Sequence, residues 1–246
     1  MTYAGRRDIP ARRPRRTAFG ASRATAGERP ATSDKLIQTI MHSSDRFPDF
    51  FDAAPRIALR DPLAAFLGAA HDGGAIEYRY ADVVKLAGHS CPTVASAYLM
   101  TRAALGALYG GMPAERGAIR VALRDSATEG VTGVVANVVG LLTGATFDTG
   151  FKGIGGRFDR RRLLTFGEPM PGQLRLTRVD TNASVGVSAR LDRVPGDPRI
   201  ANLLPRCLAM TAQPEDVALF RELWQARVRR LLLEHADDAD VIVLHR

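Results

Sequence analysis

The chain is short of cysteine, histidine and long apolar runs. Among its 246 residues are two cysteines, five histidines and one tryptophan. Two cysteines build no disulfide framework, and the chain has no C-x-x-C, H-E-x-x-H or G-x-S-x-G. That leaves no ready-made redox pair, zinc-protease helix or hydrolase elbow. No apolar stretch approaches the roughly 20 residues that span a bilayer. "RRTAF" near the start is like a twin-arginine signal, but "GASRATAGERP" supplies no apolar segment behind it, so a reducing, cytoplasmic setting is expected.

Positive charge is in excess, at a formal +8, but it is unevenly placed. Residues 1–40 hold eight Arg and one Lys against Asp8, Glu28 and Asp34, a net of +6, which leaves +2 for the rest. That stretch is rich in Arg, Pro, Ala and Gly and lacks apolar periodicity. It reads as a disordered Arg/Pro-rich tail that buries too little surface to offset the entropy of ordering. The near-neutral remainder gives nucleic acid no second contact surface, so neither nucleic-acid nor membrane partners are expected. Residues 41–246 read as one α+β domain, with a mixed or antiparallel sheet packed against several helices.

Local signals place the elements. Asp61-Pro62 predicts an N-cap and first helical residue ahead of "LAAFLGAA". "EYRYADVVKLAGH" keeps Tyr80, Val83, Val84 and Ala87 on one helical face and ends at Gly88. "TVASAYLMTRAALGALYGG" has the length of a buried helix closed by Gly110. "AIRVALRD" alternates like a strand, and "GVTGVVANVVGLLTGA" predicts another buried helix despite its valines. "QLRLTRVDTNASVGVSARLD" predicts a hairpin turning near Asp180–Asn182. "PEDVALFRELWQARVRRLLLEH" predicts a long amphipathic C-terminal helix. "RFDRRRLL" reads as a solvated strand edge, and Cys207 as an inert core thiol.

Chemistry concentrates in "AGHSCPTVASAYLM". Pro92 at the first helical position makes Cys91 the expected N-cap, where free backbone N–H groups favour thiolate over thiol. His89 lies two residues earlier, near enough for both side chains to meet one zinc-like divalent ion. The spacing is also compatible with a bare reactive thiol or with packing alone. No second pair of this kind exists among His42, His71, His235 and His245. The Gly-rich "GFKGIGG" lacks the G-x-x-x-x-G-K-[ST] order of a phosphate loop and reads as close turns.

The segment "GHSCPTVASAYLMTRAALGAL" resembles the FmdE family, named for its association with formylmethanofuran dehydrogenase. That family shows G-H-x-C-P-G at the start of a long helix. Downstream comes a helix carrying D-A-I-Q and ending in T-G-C-T, then a G-K-G-N-like turn. "VANVVGLLTGATFDTGFKG" resembles the second block and keeps Gly144 and Thr146. Ala145 stands at the family's cysteine, Asn137 near its aspartate, and Val134 near a further cysteine. The C-terminal zinc ribbon of many members is absent.

The likeness spans roughly residues 45–165. It implies that His89 and Cys91 are metal ligands, that Cys91 is the candidate catalytic thiol, and that Lys152 matches the glycine-turn lysine of a cofactor site. Glu129 and Asp148 are the nearest carboxylates to the matching segments. Two functions follow as expectations. One is an FmdE-like protein binding a divalent metal, with zinc the expected cofactor. The other is a non-catalytic module for a small molecule or partner, homodimeric through its small-residue helices, in which the pair is structural.

Overall fold

The computed structural model describes residues 47–246; the tail reading of residues 1–40 and His42 fall outside the described residues. In chain order the helices are α1 (Phe50–Ala53), α2 (Pro62–Phe66), α3 (Tyr80–Ala87), α4 (Pro92–Tyr109), α5 (Thr132–Thr143), α6 (Ile200–Leu208) and α7 (Pro214–Leu233). The strands are β1 (Ile57–Arg60), β2 (Ala75–Tyr78), β3 (Ala114–Glu115), β4 (Ile119–Leu123), β5 (Leu164–Thr165), β6 (Leu174–Arg178), β7 (Ser184–Ala189) and β8 (Ile242–His245). They form two mixed sheets, of order β2-β1-β3 and β5-β4-β6-β7-β8. The α+β class is therefore as expected, with two sheets in place of one.

Helix α4 is the centre of the domain. It packs on α3, α5, α7 and on β6, β7 and β8. Every residue from Val94 to Thr101 is buried, so this helix has no solvent face along its first half. An all-round apolar helix is stable only when enclosed in this way. Burying Leu99, Met100 and Leu105 contributes about 1.5–3 kcal/mol each. Thr101 satisfies its hydroxyl inside the helix by donating to the Ala97 carbonyl at 2.7 Å.

The boundaries follow the predicted punctuation. Cys91 caps α4, and Gly110 closes it in the left-handed region at φ 59°. Asp61 caps α2 by accepting from Leu63 N and Ala64 N at 3.0 and 3.1 Å. The hairpin β6–β7 turns where expected, with Asn182 at φ 58°. Two expectations give way. "EY" of the α3 stretch belongs to β2, because Glu77 and Tyr78 pair with Ala58 and Ile57. Cys207 lies half-buried on α6, outside the core. His245 is a strand residue whose Nε2 meets the Ser188 hydroxyl at 2.7 Å.

Candidate functional site

The His-Ser-Cys-Pro turn joins α3 to α4, entered through Gly88 in the left-handed conformation. Its middle residue is the anchor. Ser90 Oγ donates to Gln225 Oε1 at 3.0 Å, while Gln225 Nε2 donates to the Ser90 carbonyl at 3.2 Å. Trp224 Nε1 donates to the same carbonyl at 3.0 Å. With its proton given to Gln225, Ser90 Oγ accepts from the Tyr80 hydroxyl at 3.0 Å. Burial pushes the Tyr80 phenol up, the bond to Ser90 opposing, so it stays a neutral donor. A network with every member paired in this way holds one geometry.

The flanking residues point to different roles. His89 is exposed, and its Nδ1 meets the Ala87 carbonyl at 2.9 Å. Donation through Nδ1–H leaves Nε2 as the free lone pair, which is how protein-bound metals usually find a histidine held. Cys91 is 8% exposed, and its Sγ accepts from Val94 N at 3.5 Å. Its thiol thus acts as the helix cap that the sequence predicts.

Two apolar clefts open beside this turn, with Trp224 lining both. One of about 320 Å³ has Phe47, Phe51 and Val84 in its wall together with Ser90. The other, of about 280 Å³, is lined by Pro92, Pro198 and Ile200, with Asp197 and Arg227 supplying charge. Both volumes lie near or below the lower end for small-molecule sites. The Arg227 guanidinium is pinned by the Val194 and Leu191 carbonyls at 2.7 and 2.8 Å.

The other residues singled out in the sequence are elsewhere. Lys152, Asp148 and Glu129 are all exposed on loops, and none shares a hydrogen bond with His89 or Cys91. Among the described residues no group of three or more His, Cys, Asp or Glu could hold a metal ion. A structural zinc site needs four protein donors. Two described donors, one of them buried against its own helix, do not fit a closed protein-only site.

Beside the Gly144–Thr146 turn the structure builds an ion cluster on Asp61. Arg160, expected to be solvated, is 5% exposed. Its Nη2 donates to Asp61 Oδ1 at 2.7 Å, and Arg116 Nη1 donates to Asp61 Oδ2 at 2.8 Å. Burial pushes the Asp61 carboxyl up, but bonds from Arg116, Ala64 N and Arg160 outweigh it and hold the group below the ordinary carboxylate range. Arg116 also donates to the Leu141 carbonyl at 3.0 Å, so the end of α5 absorbs part of the second positive charge. Gly144 is required here: a Cβ on it would lie 2.1 Å from Arg160 Nη1, and its φ is +75°. Ala145 is 2% exposed, and Thr146 Oγ1 donates to the Arg160 carbonyl at 2.7 Å. The Gly144–Thr146 turn therefore houses an arginine.

Nothing local marked Ser90 or Arg160. Ser90 meets Gln225 across 135 positions and Arg160 meets Asp61 across 99. No family model and no curated protein matches the chain.

Proposed function

We propose that the protein is an FmdE-like binding module for a small, largely apolar molecule, with the His-Ser-Cys-Pro turn as the fixed wall of its site and Cys91 a structural cap. The observation that carries this reading is the clamp of Trp224 and Gln225 on Ser90, which sets an indole between two clefts at the motif itself. The chain's single tryptophan is then a built-in reporter. The test is tryptophan fluorescence of the full chain against a panel of small apolar probes such as indole and naphthalene. Saturable quenching in wild type, weakened by filling a cleft with Val84→Phe or Ala201→Phe, supports the module. Unchanged emission across the panel defeats it.

A second reading has one observation in its favour, the His89 ring held through Nδ1 with Nε2 outward. On it, His89 and Cys91 hold a zinc-like ion whose other positions are filled by water or by ligand atoms. An ion so held would supply an open Lewis-acid position. Elemental analysis of wild type beside Cys91→Ser separates the two readings. Near one equivalent of metal, lost in a folded variant, favours the ion. No metal after attempted reloading leaves the module alone.

A further inference from the structure

The five-stranded sheet ends on β8, whose outer side pairs with no described strand. Arg190 N donates to the Val241 carbonyl at 2.8 Å, and in this register Val243 and His245 turn their backbone toward β7. Strand alternation then turns the backbone groups of Ile242 and Leu244 outward. Ile242 N is taken by the Asp238 carbonyl at 2.8 Å. The Ile242 carbonyl and both backbone groups of Leu244 remain for an incoming strand.

This edge lines a cleft of about 950 Å³. Ile57 and Ala58 of β1 also line the cleft, and α4 contributes Leu105. Leu244 is 37% exposed, an apolar side chain beside the open ladder. Arg56, Arg102 and Arg246 line the same cleft against the single acid Asp237. Arg102 holds Asp237 at 2.6 Å and Arg56 holds Glu77 at 2.9 Å, both pairs partly exposed and open to exchange with another carboxylate. Arg246 adds an exposed third cation. An unpaired edge is a template for another chain, and natural edges are usually short, twisted away or covered.

We propose that this cleft takes an extended acidic segment of a partner protein, added as a further strand on β8 with its carboxylates on the three arginines. Backbone pairing supplies affinity in this mode and alternate side chains supply selectivity. Charge argues for this occupant over two others. The chain's own residues 1–40 carry +6 and would meet like charge. A second copy would bring a duplicate set of the same arginines to the cleft.

The test is fluorescence anisotropy of the full chain with a labelled hexapeptide alternating glutamate and valine, and with its lysine–valine counterpart. The acidic peptide is expected to bind at least about tenfold more tightly than the basic one. Leu244→Pro removes the outward N–H while sparing the ladder to β7 and is expected to abolish binding. Arg246→Glu, at an exposed position that leaves folding intact, is expected to weaken it about fivefold or more. Circular dichroism checks that each variant is folded, and Arg246→Glu carries the test if Leu244→Pro is not. Equal binding of the two peptides, no binding up to about 1 mM, or unaltered binding by the folded variants overturns the proposal. So does a concentration-dependent dimer by sedimentation that occupies the edge and excludes the acidic peptide.

Discussion

Replacing Asp61 by alanine removes one side chain from four donors at once. Leu63 N and Ala64 N lose their cap, and Arg160 and Arg116 lose their counter-ion. Loss of a helix cap costs about 1 kcal/mol. Leaving a buried charge without its partner costs about 3–5 kcal/mol. Arg160 qualifies, with its side chain 6% exposed, whereas Arg116 at 21% keeps the Leu141 carbonyl and some water. Because the two losses share one carboxylate they overlap, and about 4 kcal/mol in total is expected, a large share of the 5–15 kcal/mol of an ordinary domain.

Urea unfolding at pH 7 followed by far-ultraviolet circular dichroism reads this directly, as a lower midpoint at unchanged slope. Asp61→Asn keeps a carbonyl for the cap and loses the charge, and falls between the two. The double variant Asp61→Ala with Arg160→Met recovers at least half of the loss, since neither charge is then stranded. A loss below about 1 kcal/mol for Asp61→Ala would refute the reasoning, because the cap alone would account for it. So would a double variant no better than the single one.

The same carboxylate predicts an acid limb. Its folded value lies below the unfolded one, so its stabilisation is complete above the ordinary value of about 3.9 and is lost as pH falls through the lower folded value. Wild type should therefore lose stability more steeply than Asp61→Asn below about pH 4, measured by urea midpoints across pH. Gly144→Ala places a methyl on Arg160 at positive φ and should lower stability by about 2–3 kcal/mol, while Gly106→Ala, on an open part of α4, should not destabilise. Ser90→Ala strands Tyr80 and Gln225 and should cost about 1–3 kcal/mol in the same urea assay. Cys91→Ser keeps a capping oxygen and should change the melting point little, even where it removes a metal.

Helices were legible where punctuation is local. Asp61-Pro62, Gly88, Cys91-Pro92 and Gly110 each mark a boundary that the fold honours. Helix α5 holds despite its valines because Val135, Val138 and Val139 are buried, and packing outweighs their weak propensity. The short strands β1, β2 and β8 carry too few residues to show a period, and their pairing partners lie far along the chain. "RFDRRRLL" misled because composition reports average solvation, and Arg160 departs from the average only through Asp61. The His-Ser-Cys-Pro segment showed its histidine and cysteine and hid the serine between them, whose clamp exists only when α7 arrives.

That late arrival sets an order of assembly. The turn at residues 89–91 leaves the ribosome long before residues 224 and 225, and at about 5–20 residues per second the gap lasts on the order of ten seconds. During that interval α4 can form behind its capping thiol, but Ser90 has no clamp and neither cleft has its indole wall. The walls of both clefts are thus completed late in the emergence of the chain, after most of the domain that surrounds them has been made.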